Sequence, residues 1–520
     1  MTVGSAQMIG SSGAMSRGPV SDGVSALPNI VVVVLDCVRA RELPGGSHPE
    51  TSLTSLQTLA KECVVFPRVA TVAPWTLPSH ASLFTGLYPW EHGVSIAGTL
   101  VIDPALPVLA SRLRAAGYAS LSLSANHLID CTLNLAQGFD EAFWNDSWRT
   151  FLRTSPGVLH PPHRKSTRPP GSPDLHQLGV GRSAEFHSVV SVSLLRHPRA
   201  LEFLNAVVSG LRPDLRNLGS TLAPWIEGSL STWLDGIPAH KPVFAFINYL
   251  DAHEPYLRLD RAYYPSEYPP QVRQDRISYL AGSWNPEPRE LHALFELYKG
   301  SLRLLDCRLR RLLEVLKSHG RWENTLFILT SDHGQAFGEG GLLFHSQGTH
   351  DAVLRVPLLV KTPHSNLASR QARGWASLID IAPTALSFAG LSSPSSPWGR
   401  DLREIVEEER TEAILATADG LLWGPFREWL PPERREVLAR VRGAAYLGDW
   451  KVTSDGTPAG FSAYDLEHDP DESQNLWPSV PEQVRELGHR AAEVCVKMRE
   501  RRRGRTANMR DERLRSWGYM

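Results

Sequence analysis

The stretch Pro28-Asn29-Ile30-Val31-Val32-Val33-Val34-Leu35-Asp36 decides the fold class. Six apolar residues in succession, five of them β-branched, are too short for a helix and too uniform for a half-buried strand. Side chains along a strand alternate between faces, so an all-apolar run marks a strand buried on both faces, as in the middle of a parallel sheet. Asp36 follows at once, at the carboxyl edge where open α/β sheets gather their ligands. The arrangement recurs twice. Pro242 to Tyr249 reads as a strand leading to Asp251, Ala252 and His253, and Leu326 to Thr330 runs into Ser331-Asp332-His333-Gly334. Three buried strands that each deliver acidic or imidazole groups at the same end predict one active-site rim.

The rest of the 520 residues fits this frame. Apolar residues make up 42% and charged residues 21%, which excludes a fibrous repeat or wholesale disorder. The length suggests roughly two to four units. The formal net charge of -1 gives the whole molecule no pull toward nucleic acid or membranes. Met1 to Leu27, rich in Ser and Gly, reads as a disordered leader without a signal-like apolar run. The longest apolar run is far too short to span a bilayer. Five cysteines are scattered, odd in number and without a CxxC pair, as expected of reduced thiols in a cytoplasm.

Between these landmarks, helices are expected over Ser52 to Cys63, Pro107 to Gly117, and Leu291 to Ser318. Val64 to Phe66 and Ala119 to Ser124 read as strands. Arg153 to Gly181, dominated by Pro, His, Arg and Ser, cannot bury much apolar surface and reads as a loop or lid. A mainly helical segment follows, to about Pro238. From about Leu402 the pattern changes to antiparallel strands at Trp450 to Val452 and Phe461 to Leu466. A last helix, Pro481 to Arg501, leads into a stretch, Lys497 to Arg515, with nine basic and three acidic side chains. The plain reading of that stretch is a solvated face or tail, and the other is a polyanion contact.

Asp36, Asp332 and His333 together offer carboxylate oxygen and imidazole nitrogen. That mixture suits Zn²⁺ or Mn²⁺, whereas a carboxylate-heavy set tilts toward Ca²⁺ or Mg²⁺. An ion so held lowers the pKa of a coordinated hydroxyl and neutralises charge on a phosphoryl or sulfuryl oxygen. Asp-His-Gly by itself also fits a strand-to-helix cap. In Ala73-Pro-Trp-Thr-Leu-Pro-Ser-His-Ala-Ser-Leu-Phe (73–84), a helix is expected from Ser79 to Phe84. Thr76 at its entrance stands where free N–H groups favour an anion. That placement suits a nucleophile, and an isolated threonine there suits an N-cap equally.

Taken together these segments resemble the alkaline phosphatase superfamily, in its sulfatase-like branch. Trp75 to Gly86 resembles the nucleophile motif, Leu35-Asp36-Cys37-Val38-Arg39 the first metal-binding strand, and Phe246 to Tyr256 the substrate-histidine segment. Asn324 to Gly334 and Leu354 to Val360 resemble the second metal strand and the strand beyond it. Lys451 and Tyr464 to Asn475 resemble the short C-terminal domain. The likeness runs in order from Pro28 to Asn475.

The resemblance implies an α/β three-layer sandwich with a large, mainly parallel central sheet over 28–400, and a small C-terminal α+β subdomain with a short antiparallel sheet over 401–520. It implies one divalent metal ion, Mn or Zn before Ca or Mg, held by Asp36, Asp332, His333 and Thr76. Thr76 would also be the nucleophile, and His253 would protonate a leaving group or contact a substrate oxygen. His345, Asn126 and His127 would bind substrate. Formylglycine sulfatases carry Cys or Ser at the nucleophile and Arg four residues later; here the residues are Thr76 and His80, the latter counted with the substrate-binding set. Threonine is not converted to formylglycine, so the resemblance points to phosphoester before sulfate-ester hydrolysis through a phosphothreonine. Cys37 replaces a second acidic residue and is either a ligand or a small packing residue. Asp251 with His253 could join a second metal site, for which His345 and His350 are the spare residues. The expected substrate is a small-molecule or glycan ester, with no nucleic acid and no membrane span; the oligomeric state stays open. The alternatives are a phosphotransferase acting on an alcohol acceptor and a non-catalytic anion- or glycan-binding relative.

Overall fold

The computed structural model describes residues 27–47, 49, 52–95, 99–126, 128–129, 133–144, 224–256, 272–364, 369–392, 397–419 and 430–503. The expected leader before Leu27, the Arg153 to Gly181 loop, His127, most of the helical segment before Pro224 and the Arg-rich stretch beyond Arg503 lie outside these residues.

Twelve strands belong to the larger part of the molecule: β1 (Asn29–Leu35), β2 (Val64–Val65), β3 (Val69–Ala70), β4 (Ala119–Ser124), β5 (Glu141–Trp144), β6 (Val243–Tyr249), β7 (Thr325–Thr330), β8 (Ala336–Phe337), β9 (Leu343–Phe344), β10 (Leu358–Lys361), β11 (Arg370–Gln371) and β12 (Ala376–Ser377). An eight-stranded sheet takes the order β11-β2-β10-β7-β1-β6-β4-β5. β1 pairs in parallel with β6 and β7, β4 with β6 and β5, and β11 with β2, whereas β10 runs antiparallel to β7 and β2. The valine run is therefore central, as its composition requires. Ile30, Val32 and Val34 enter the core on one face, while Val31, Val33 and Leu35 enter the core on the other. The helices Thr76–Thr85, Leu109–Ala115 and Ile381–Phe388 cover the first face; Thr54–Glu62, Pro224–Asp235 and Pro288–Ser318 cover the second.

Four further strands, β13 (Ile414–Ala418), β14 (Arg442–Leu447), β15 (Trp450–Ser454) and β16 (Phe461–Asp465), form the small antiparallel sheet, in that order. The helix Glu482–Arg503 packs on it through Val484, Leu487, Ala491, Val494, Cys495 and Met498. These side chains recur at helical spacing and join the same apolar core that underlies the Thr76–Thr85 helix. Among the described residues no helix is long and apolar enough to cross a membrane.

Two local expectations are corrected. The helix expected from Ser79 begins at Thr76. Pro78 lies in its first turn, where the N–H it lacks would have no intrahelical partner. The strand expected over Leu354 to Val360 is confined to Leu358–Lys361. Upstream, His350 caps a short helix, Asp351–Leu354, by accepting from the Ala352 amide at 3.0 Å, and Pro357 cannot donate to a ladder.

Candidate active site

The central register fixes the site. β1 lies between β6 and β7, all three parallel, so Asp36, the Asp251–Glu254 turn and the Asp332–His333 pair emerge side by side at one sheet edge. Immediately after Asp36, Cys37 adopts the left-handed conformation (φ 65°) and aims its amide at Asp332 Oδ1, 3.4 Å away.

His333 is the hub. Its Nε2 stands 3.4 Å from Asp332 Oδ2 and 3.9 Å from Asp36 Oδ1. Its Nδ1 bonds the Gly334 carbonyl at 3.0 Å, which leaves Nε2 as the free acceptor. Ligand atoms of Asp36, Cys37 and His333 all lie within 4.8 Å of one another. All these groups are fully buried. Burial first, and Asp332 next, push the Asp36 carboxyl up to about 6. Burial likewise raises Asp332 to about 7 and lowers His333 to about 4. Removing two carboxylates and an imidazole from water in this way is costly unless something compensates.

Three buried atoms identify the compensation: Asp332 Oδ2, His333 Nε2 and His80 Nε2 have no hydrogen-bond partner. A divalent cation would satisfy the Asp332 and His333 lone pairs, whose atoms lie 3.4 Å apart, so these residues fit a metal ion. Thr76, 3% exposed, is the first residue of its helix, and its N-terminus carries no side-chain cap. One turn on, His80 bonds the Thr76 carbonyl through Nδ1 at 2.9 Å and lies 3.6 Å from Asp332 Oδ2. The same helix is tied to the Asp332–His333 loop through Ser79, whose Oγ is 3.1 Å from Thr71 Oγ1, which donates to the Asp332 carbonyl at 2.6 Å.

Two residues counted as substrate-binding are placed differently. Asn126 donates from Nδ2 to Asp36 Oδ2 at 2.8 Å and accepts the Leu128 amide at Oδ1, so it holds Asp36 rather than facing solvent. His80 is fully buried, and burial lowers it to about 3, so it is a neutral group beside Asp332 rather than a cationic substrate contact. His127 is outside the described residues.

A second cluster adjoins the first. The His253 and His345 rings meet edge to face at 4.8 Å, and His345 stacks on His333 at 4.5 Å. Glu254, Gln335 and Arg276 complete it, and the sequence reading had not singled them out. Gln335 donates to Glu254 Oε2 at 2.8 Å and meets His345 Nδ1 through Oε1 at 2.9 Å. Arg276 Nη1 is 3.4 Å from Glu254 Oε1 and 3.3 Å from His345 Nε2. Glu254 and Gln335 were legible as direct neighbours of the motif residues; Arg276 had no sequence signal. Cys37, His253, Glu254 and His345 also place ligand atoms within 4.8 Å of one another, but here Gln335 and Arg276 already satisfy both His345 nitrogens and the Glu254 carboxylate. The cluster therefore reads as a polar wall rather than a second metal centre. Burial opposes protonation of His253, yet Glu254 and Asp36 outweigh it and raise its pKa. Asp251, the other second-site residue, is paired with Arg308 at 2.9 Å.

The fold and this site define a sulfatase-like ester hydrolase. The description "Sulfatase" matches residues 28–391, and "N-sulphoglucosamine sulphohydrolase, C-terminal" matches residues 338–499, so the chain belongs to the sulfatase family, within the alkaline phosphatase superfamily. It is 26% identical over 406 residues to an arylsulfatase of Clostridium perfringens, spanning 74% of this chain and 79% of that protein. It is 24% identical over 461 residues to a choline-sulfatase of Rhizobium meliloti, spanning 86% and 82%. In fold it resembles a phosphonate monoester hydrolase of Agrobacterium radiobacter, with a TM-score of 0.60, 21% identity and coverage of 91% of this chain and 96% of that one. Members of this superfamily use a divalent metal ion.

Proposed function

We propose that the protein hydrolyses phosphoric esters, before sulfuric esters, with Thr76 as nucleophile. The observation that carries this reading is the placement of Thr76 at an uncapped helix start. One turn later, the same helix presents His80 to Asp332, among three partnerless buried atoms. Asp36, Asp332, His333 and Thr76 would hold one divalent ion, Mn²⁺ or Zn²⁺ before Ca²⁺ or Mg²⁺ given the imidazole and the adjacent Cys37 thiol. When bound, it would neutralise charge on the ester oxygens and favour the ionised threonine hydroxyl. The named activities of the relatives, cleavage of sulfate and phosphonate esters, support the reaction class.

Thr76 releases its hydroxyl proton to solvent water, and its oxygen bonds to phosphorus as the ester P–O bond breaks. The departing alkoxide takes a proton from His253, whose raised pKa suits a general acid. Water then passes a proton to the now neutral His253 and attacks phosphorus, breaking the bond to Thr76 Oγ1, which is reprotonated from solvent as phosphate leaves. Arg276 lines the same side and supplies positive charge toward an anionic substrate, with His345 holding its guanidinium at 3.3 Å. Threonine carries no path to the aldehyde hydrate of formylglycine enzymes, which is why phosphorus is placed before sulfur. Cys37, Cys63 and Cys495 form no disulfide among the described residues, which supports a reducing, cytoplasmic setting.

The test compares nitrophenyl phosphate, bis(nitrophenyl) phosphate and nitrophenyl sulfate with wild type, Thr76→Ala and Thr76→Ser. Thr76→Ala should lose at least about 10³-fold in kcat, and Thr76→Ser should keep most of it. A His253→Ala variant should accumulate a phosphoryl mass on Thr76. Undiminished turnover by Thr76→Ala removes the nucleophile assignment, and faster turnover of the sulfate reverses the order of substrates.

A further inference from the structure

The catalytic loops have a support that comes from the other end of the chain. Lys451, on β15, is fully buried, and its Nζ donates to Asp351 Oδ1 at 2.7 Å and to Glu472 Oε2 at 2.8 Å. Tyr446, on β14, donates to the same Asp351 oxygen at 2.9 Å. Asp351 opens the helix Asp351–Leu354, and that one turn bears on both catalytic segments. The Val353 carbonyl accepts the Gly334 amide at 2.9 Å, directly after His333. The Leu354 carbonyl accepts the Thr71 amide at 2.9 Å, and Thr71 donates to the Asp332 carbonyl while approaching Ser79 in the Thr76 helix. A buried cation held between two carboxylates has one low-energy position, because any drift leaves a charge unpaired in a dry interior.

We propose that Lys451 and Tyr446 are positioning residues for the reaction: by fixing Asp351, the C-terminal sheet sets the register of the Thr71 and Gly334 segments, and through them the placement of Thr76 relative to Asp332 and His333. The small sheet is then a working part of the site, although it contributes no group that touches substrate. The inference rests on the reading of those segments as catalytic, and it deepens that reading. It separates two functions within the site: His253, in the turn after β6, and Arg276, at the start of a separate helix, stand on elements other than the Asp351 helix and the segments bonded to it. Loss of the clamp should therefore lower kcat and spare KM.

The experiment uses the full-length chain and two variants, Lys451→Met and Tyr446→Phe. Hydrogen exchange is followed on peptides containing Thr71 and Gly334, and kcat and KM are measured on nitrophenyl phosphate. Lys451→Met should exchange faster at both amides and lose about tenfold or more in kcat, with KM within about twofold. Tyr446→Phe, which deletes one hydroxyl and carries the test if Lys451→Met does not fold, should show both effects in smaller measure. Unchanged exchange at Thr71 and Gly334, or a lowered melting temperature with kcat intact, overturns the proposal. Exchange does not depend on turnover. If Thr76→Ala keeps full activity while the amides still respond to Lys451→Met, the nucleophile assignment falls and the mechanical link stands.

Discussion

Asp36 has a buried carboxylate whose orientation depends on a neighbour 90 residues away in the chain. Asn126 supplies that neighbour; its side-chain Oδ1 accepts the Leu128 amide and its own backbone N–H donates to Ser124 Oγ, 3.0 Å each. Groups that orient a metal-binding side chain commonly account for 10- to 100-fold in affinity, roughly. Asn126→Ala is accordingly expected to weaken Mn²⁺ or Zn²⁺ binding by about that factor in a competition titration. KM for substrate should change little, since the residue faces Asp36 rather than an open surface. An unaltered affinity would return Asn126 to the substrate-binding role that the sequence implied. At this scale the sequence was informative about identity and silent about direction. Asp36, Asp332 and His333 were marked by following buried strands, whereas the turning of Asn126 inward and the burial of His80 depend on atoms contributed by other elements.

Among the elements, the short helix Asp351–Leu354 has the largest consequence for its size. It lies so close to the Asp332–Gly334 loop that a Cβ added to Gly334 would sit 2.2 Å from the Ala352 carbonyl oxygen. Both are backbone positions, so neither can yield by a rotamer change. Gly334→Ala should therefore cost about 1–3 kcal/mol in urea unfolding, and it should displace His333 enough to depress kcat. Full activity together with unchanged stability would show that the loop can shift without cost. The expected strand over Leu354 to Val360 missed this helix because its four residues are apolar or acidic without helical periodicity of useful length, and the His350 cap leaves no strong local signal. The Thr76 helix was legible in existence, but its start was not, since Pro78 reads as a breaker until it is known to occupy the first turn.

For the whole molecule, acid sensitivity follows from imidazoles folded into the core. His92 is fully buried, accepting the Val94 amide at Nδ1 and meeting Ser82 Oγ at Nε2, both at 3.0 Å. Burial, with Arg501 adding repulsion, lowers it to about 3. The folded value lies below the unfolded one of about 6.5, so protons bind the unfolded chain more tightly. Its contribution to stability is complete above about pH 6.5 and declines as pH falls toward 3, reaching a loss of about 2 kcal/mol at pH 5. Asp36 and Asp332, raised to about 6 and 7, act with the opposite sign in the metal-free protein. The measurement is therefore the difference between wild type and His92→Gln, in which those contributions cancel. Wild type should lose about 2 kcal/mol of stability relative to His92→Gln as pH drops from 7 to 5; a constant difference would mean that His92 is already charged in the fold.

What the sequence determined by itself was the central architecture: apolar runs of strand length can be buried on both faces only inside a sheet covered on both sides. Groups attached to the ends of parallel strands must then share one edge. The order of the motifs added the family and the nominal ligands. Tertiary structure alone decided which atoms face one another. Gln335 and Arg276 close off a second metal set, and Asp251 is taken by Arg308. A lysine 100 residues beyond Asp351 anchors the helix behind the Thr71 and Gly334 segments. Those outcomes depend on hydrogen bonds and charges meeting across long separations in the chain. Local periodicity carries no information about such meetings, because each partner's pattern is complete without the other.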